Sequence, residues 1–122
     1  MKIYLISSVR LGESAFAHRY VEELQQQGHK VYYPHRDTRQ DDDTGLRICL
    51  ENYFGIASAD EVHVVYNANS QGQHFDLGMA FALGKPLKVV TIEEAESQYY
   101  PEQGGGKSYL RMMSEWEKRT IY

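Results

Sequence analysis

EVHVVYNANSQGQHFDLGMAFALGKPLKVVTI, residues 61–92, reads as a strand, a helix and a second strand laid end to end. EVHVVYN is β-branched and apolar, as a buried strand should be. Ser70 with Gln73 three positions on has the form of a capping box, the serine capping the helix while the glutamine reaches back. The run that follows predicts a helix over 73–83 that turns Leu77, Ala80, Phe81 and Leu83 to a core and stops at Gly84. PLKVVTI is the next buried strand. A strand–helix–strand unit joins parallel neighbours through a crossover, so this segment predicts a parallel sheet.

The same alternation extends in both directions. KIYLIS (2–7) is a first strand, followed by a helix from Glu13 to Gln27 with Phe16, Tyr20, Val21 and Leu24 at helical spacing and Gly28 as its stop. KVYYP (30–34) is a strand ended by Pro34. The polar loop HRDTRQDDDTG leads to a helix from Leu46 to Ala57, with apolar faces from Leu46, Ile48, Leu50, Tyr53, Phe54 and Ile56. A last helix, Lys107 to Lys118, follows a glycine-rich loop, and RTIY is a short strand or an ordered tail. The expected fold is α/β: a flavodoxin-like (Rossmann-like) doubly wound parallel sheet of four to five strands in three α/β/α layers, with residues 1–122 as a single domain. Ligands of such sheets lie beyond the carboxyl ends of the strands, which nominates the loops at 7–12, 35–45, 67–73 and 92–106.

Composition narrows the functional classes. A net charge of −4 argues against a nucleic-acid polymer or a membrane surface as partner, since both need clustered Lys and Arg. Cys49 is the only cysteine, so no internal disulfide and no Cys-based zinc site are expected. The N-terminus has no secretory signal pattern, and no run approaches the ~20 apolar residues of a membrane span. The expectation is a soluble cytoplasmic protein.

Several motifs resolve into plain structure. GGGKS (104–108) resembles the end of a phosphate-binding P-loop, but Pro101 stands where the first glycine is needed and no strand precedes it. RDTRQDDD lacks the spacing of a calcium loop and reads as a solvated run, with Arg36 and Arg39 as loop charges able to reach an anion. The five histidines are scattered, and no metal site is expected. SSVRLG (7–12) admits two readings. It is either a plain strand-to-helix turn or an anion grip built from backbone N–H groups, Ser8 and Arg10. It lacks the G-x-G-x-x-G dinucleotide fingerprint.

Asp76 is the residue that structure alone explains least. A carboxylate early in a helix is favoured by the macrodipole, which would keep it ionised and suit a nucleophile. Ordinary helix electrostatics does not explain its place among Phe75, Leu77 and Met79, nor Gly72 and Gly78, which flank it and should open space around it.

Three stretches carry a resemblance. IYLISSVRLG, ASADEVHVV and SQGQHFDLGMAFALGKP are similar to the first strand and loop, the third strand and the signature helix of the nucleoside 2-deoxyribosyltransferases. The likeness extends to their relatives, the 2'-deoxynucleoside 5'-monophosphate N-glycosidases, whose branch is the closer. The resemblance implies Asp76 as the catalytic nucleophile and Tyr4 as the tyrosine that orients it. Ser8 and Arg10 fall in the phosphate-side loop, Ser70 takes the place of a serine that contacts the 5'-phosphate, and Gly72 lies in the same segment. Asn52 stands where the family carries a second carboxylate. The family nucleophile is usually Glu, so Asp76 is shorter by one C–C bond, about 1.5 Å.

The implied activity is cleavage or transfer of an N-glycosidic bond of a (deoxy)nucleoside or its 5'-monophosphate, with no metal or redox cofactor. A non-catalytic nucleotide-binding module on the same fold is the alternative, favoured by Asp76 and Asn52 in place of the usual acids. An FMN carrier is a third possibility that the fold permits. Trp116, Ile121 and Tyr122 in EWEKRTIY suggest a tail with apolar residues to bury against a partner. In the similar transferases a C-terminal segment approaches a neighbour's pocket, which implies a homodimer or higher symmetric oligomer with Tyr122 near the partner's site.

Overall fold

The computed structural model describes residues 1–7, 14–67, 70–90 and 109–120. Strands β1 (Lys2–Ile6), β2 (Lys30–Tyr32), β3 (Glu61–Val64) and β4 (Leu87–Val89) form one parallel sheet in the order β2-β1-β3-β4. The helices are α1 (Ser14–Gln26), the single turn α2 (Pro34–Asp37), α3 (Leu46–Ser58), α4 (Gln71–Ala82) and α5 (Tyr109–Thr120). The α/β class and parallel sheet are as the alternation predicts.

Strand periodicity divides the core into two layers. Ile3, Leu5, Val31 and Val65 turn to one face and pack with Ala17, Val21 and Leu24 of α1. Tyr4, Ile6, Val62, Val64, Leu87 and Val89 turn to the other, against Ile56 of α3, Leu77 and Ala80 of α4, and Leu110, Met113 and Trp116 of α5. Helices therefore cover both faces, as parallel strands require. His63 is the polar exception under α1. Its Nδ1 lies 2.6 Å from the Tyr20 hydroxyl and its Nε2 2.9 Å from Glu61, and burial holds its pKa below the ordinary value.

The connections around α4 explain the end of the signature segment. Gly84 takes φ 68°, with Gly84 N–H donating to Phe81 O and Lys85 N–H to Ala80 O, the paired bonds of a Schellman ending. Lys85 then sends its ammonium back to the carbonyls of Ala57 and Ala59, both at 2.8 Å, so it closes the C-terminus of α3 as well. Trp116 Nε1 donates to Lys85 O at 2.9 Å, and Thr120 Oγ1 accepts from Leu87 N, which docks α5 beside β4.

Several expectations change. Trp116 is 7% exposed and belongs to the core, and Arg119 and Thr120 are the last turn of α5 rather than a strand or tail. Ile121 and Tyr122 lie outside the described residues. Among the described residues, the exposed large apolar side chains include Leu46, Leu50, Tyr53 and Phe54 of α3, Phe75 and Phe81 of α4, Leu83, Phe16, Met1 and, at the start of α5, Tyr109. The inner stripe of α3 is Asn52, Gly55 and Ile56, and helical phase puts the larger apolar residues outside. β2 stops at Tyr32 because Pro34 opens α2, and Asp37 accepts from Tyr33 N at 2.8 Å to cap that turn. The acidic run is thus partly structural, since Asp42 likewise accepts from Ile48 N at the start of α3.

Candidate active site

Tyr4 is the middle residue of the central strand and is fully buried. Its hydroxyl donates to Asp76 Oδ2 at 3.2 Å. Asp76 is the sixth residue of α4, past the first turn, where the helix dipole has little hold on it. At 9% exposed it shares the inner side of α4 with Gln73, Leu77 and Ala80. Burial therefore dominates and pushes its pKa up to about 6, while hydrogen bonds from Tyr4 and Asn52 draw it back down. That reverses the expectation of a carboxylate held acidic by the helix N-terminus, though Asp76 is still mostly ionised above neutral pH. Burial, and then the neighbouring Asp76, raise the Tyr4 pKa far above the ordinary value, so Tyr4 stays a neutral donor.

Asn52, the inner residue of α3, is 8% exposed and faces Asp76. Behind it, Thr38 Oγ1 donates to Asn52 Oδ1 at 2.9 Å, and the Tyr32 hydroxyl lies 2.6 Å from Thr38 Oγ1. Cys49, one helical turn before Asn52, is close enough to Asp76 for the charge to raise its pKa, although burial raises it more. The sequence reading placed Tyr4, Asn52 and Asp76 but missed Tyr32, Thr38 and Cys49.

It also missed Gly55. The Tyr4 and Tyr32 rings are stacked at 5.4 Å with 10° between their planes. A Cβ on Gly55 would sit 3.0 Å from the Tyr4 ring and 3.1 Å from that of Tyr32. The bare backbone of α3 is therefore what lets the stacked pair lie flat beneath it. A glycine in the middle of a predicted helix was the available signal, because such a residue costs stability without a packing reason.

Ser70 caps α4 by accepting from Gln73 N at 3.3 Å, as read. The Gln73 side chain does not reach back. It accepts from Asn67 N at 2.8 Å and donates to Val65 O at 2.9 Å, fixing the chain between β3 and α4. His74 Nδ1 donates to Ser70 O at 2.8 Å, and its Nε2 meets the Tyr66 hydroxyl at 2.9 Å. Gly72 lies one turn before Asp76 on the same side of α4, with open space where a Cβ would project. Gly78, two residues beyond Asp76, turns outward and does not flank it. Arg36 and Arg39 are occupied by Asp37 and Asp41, at 2.7 and 2.8 Å, rather than free for an anion. Ser8, Arg10 and Tyr122 lie outside the described residues. Among the described residues no group of three or more His, Cys, Asp or Glu could hold a metal ion, and no helix is long and apolar enough to cross a membrane.

A family model described as nucleoside 2-deoxyribosyltransferase matches residues 3–117. No curated protein sequence matches the chain. Among solved structures, a 2-deoxyribosyltransferase from Bacillus psychrosaccharolyticus superposes with a TM-score of 0.60 at 20% identity, covering 100% of this chain and 92% of that one. The Clostridium botulinum CMP N-glycosidase BcmB superposes with a TM-score of 0.55 at 18% identity, covering 94% and 99%. At these identities the superpositions establish a shared fold.

Two outcomes follow from the site's packing and charge. Because the folded pKa of Asp76 lies above that of an unfolded aspartate, its contribution to stability is fully present below about pH 4 and is lost as pH rises through about 6. Asp76→Asn should therefore stabilise the protein at pH 8, by on the order of 2–3 kcal/mol, with the gain shrinking toward pH 4. Denaturant unfolding at the two pH values measures this, and no gain at pH 8 would mean that the charge is not desolvated. Gly55→Ala, which in an open helix gains about 1 kcal/mol, should here cost roughly 1–3 kcal/mol and perturb the tyrosine near-UV circular dichroism.

Proposed function

The chain belongs to the nucleoside 2-deoxyribosyltransferase family, and we propose that it is an enzyme that cleaves or transfers the N-glycosidic bond of a (deoxy)nucleoside or its 5'-monophosphate. The observation that carries this reading is the buried Asp76 carboxylate, held by Tyr4 and Asn52 between the sheet and the helix that carries it. Asp76 attacks C1' of the sugar through an oxocarbenium-like transition state. The C1'–N bond breaks and its electron pair leaves with the base. Water or an acceptor base then attacks C1' of the glycosyl ester and returns Asp76 as the free carboxylate, in the manner of retaining glycosidases. Tyr4 stays hydrogen-bonded to the carboxylate, Asn52 faces it, and together they fix the oxygen that attacks. Asn52 has no proton to give as an acid, so the base takes its proton from elsewhere.

A phosphorylated substrate is supported by Ser70 at the start of α4, where a helix N-terminus favours an anion. Ser8 and Arg10 belong to the same reading through the resemblance. Gly72 leaves room for substrate on the Asp76 side of α4. The working environment proposed is the cytoplasm, with no metal or redox cofactor and no polymer or membrane partner.

The enzyme we propose works as a homodimer or higher symmetric oligomer, with Tyr122 approaching a neighbour's site as the resemblance implies. Support comes from α3 and α4, which pack side by side and expose Leu46, Leu50, Phe54 (65%) and Phe75 (55%). The spacing of Leu46, Leu50 and Phe54 puts them on one exposed stripe of α3, and a two-fold contact would bury the same stripe on both copies.

The decisive experiment is incubation with a panel of nucleosides and 5'-monophosphates, with chromatographic detection of free base. Release is expected from at least one member, and Asp76→Asn should lower it by at least ~1,000-fold while retaining ligand binding. Binding without any release would leave the protein as a nucleotide-binding module. For assembly, light scattering should show a dimer or larger species that Leu50→Glu together with Phe54→Glu converts to monomer. A wild-type monomer removes the oligomer from the reading.

A further inference from the structure

We propose that Thr38 and Tyr32 are positioning residues that fix the side-chain amide of Asn52 with its NH2 edge toward Asp76. The catalytic meaning of this rests on the function proposed above; the hydrogen-bond logic does not. Thr38 is 3% exposed, and its hydroxyl has one proton and two close neighbours, Asn52 Oδ1 at 2.9 Å and the Tyr32 hydroxyl at 2.6 Å. An ionised carboxylate only accepts. If Asn52 presented its carbonyl to Asp76, two acceptors would face one another in a buried site, and each would lack a donor. The favourable orientation therefore has Nδ2 donating to Asp76 and Oδ1 turned to Thr38. Thr38 must then use its proton on Oδ1, and Tyr32 must donate to Thr38.

Two hydrogen bonds thus run in one sense, from Tyr32 through Thr38 to Asn52, and turn the Asn52 amide toward Asp76, whose pKa it lowers, while Tyr4 donates to the same carboxylate from the sheet. When Asp76 takes up a proton, the chain can reverse. The acid then donates to Oδ1, the amide to Thr38 and Thr38 to Tyr32. Its direction is coupled to the charge on Asp76, and what fixes it favours the ionised form. Among the described residues, the titratable groups that face Asp76 or its partners are Tyr4 of β1, Tyr32 of β2 and Cys49 of α3. None of these is a cation. Among the described residues, donated hydrogen bonds are what oppose the cost of burying the charge.

Thr38→Val keeps the shape of the side chain and removes only the hydroxyl, so it separates direction-setting from packing. The measurement is carboxyl-carbon NMR of Asp76 against pH, the signal being assigned by its loss in Asp76→Asn. Wild type should titrate near 6. Thr38→Val should raise that midpoint by roughly 0.5–1 unit, Thr38→Ser should restore it, and Tyr32→Phe should shift it less but in the same direction. A folded Thr38→Val that titrates like wild type overturns the proposal, as does a serine variant shifted as far as the valine one. Should Thr38→Val not fold, Tyr32→Phe decides, and an unchanged midpoint there refutes the relay. Base release measured on wild type separates the two readings. The expected titration shifts without any release would sustain the positioning and sink the enzymatic function, while release without the shifts would do the reverse.

Discussion

The hydrogen bond from Tyr4 to Asp76 ties the middle of the central strand to the inner side of α4, and it does so with a charge that the surrounding core disfavours. Comparison with the other aspartates shows how unusual that placement is. Asp37, paired with Arg36 at the end of the single turn α2, and Asp42, before α3, accept backbone N–H groups near solvent, and their partners hold their pKa values below the ordinary range. Those are acids that stabilise. Asp76 is pushed the other way by desolvation, and two neutral donors only partly compensate. A fold that needed Asp76 only for stability would do better with an amide or an apolar side chain at that position. The catalytic role proposed for Asp76 accounts for a buried carboxylate with a raised pKa beside specific donors.

Holding that group in place depends on how α3 and α4 are fixed to one another. Lys85 follows the Gly84 ending of α4 and caps the last carbonyls of α3, so one residue, through its backbone N–H and its side chain, joins the C-terminal ends of both helices. At the opposite end, Gln73 stitches β3 to α4 through two buried bonds. Between these anchors, Gly55 lets the stacked Tyr4–Tyr32 pair approach the backbone of α3. Asn52 and Asp76 thus project from rigid elements, with supporting hydrogen bonds behind them, which is what a site with sub-ångström demands requires.

The order of elements was legible because alternating β-branched runs and helical spacing depend only on local sequence, and 61–92 alone implied the parallel sheet. The contact between Tyr4 and Asp76 was implied by the resemblance, and the Ser70 cap was legible from its spacing to Gln73. What the pattern could not give was phase in three dimensions. Apolar residues occur all round α3, so nothing local distinguished the buried Asn52–Gly55–Ile56 stripe from the exposed Leu46, Leu50 and Phe54. The Asp76 environment was misjudged for a related reason: position along a helix can be read from sequence, whereas burial depends on which strand lies beneath. Thr38 and Tyr32 were invisible because their roles exist only once a loop and two elements meet.

On the proposed reading Asp76 and Asn52 are two departures from the acids that the resemblance implies, and electrostatics links them. A carboxylate at position 52, with Thr38 donating to it, would place a second negative charge against Asp76 in a buried site, and one of the two would have to take up a proton. An amide avoids that competition and adds a donor, so Asp76 can remain ionised despite its burial. The shorter side chain then keeps the charge close to both Tyr4 and Asn52. The cost falls on the other half of the proposed reaction. With no acid at 52, departure of the base cannot be assisted from that side, and the burden moves to Asp76 and to how closely a sugar can descend past the open position at Gly72.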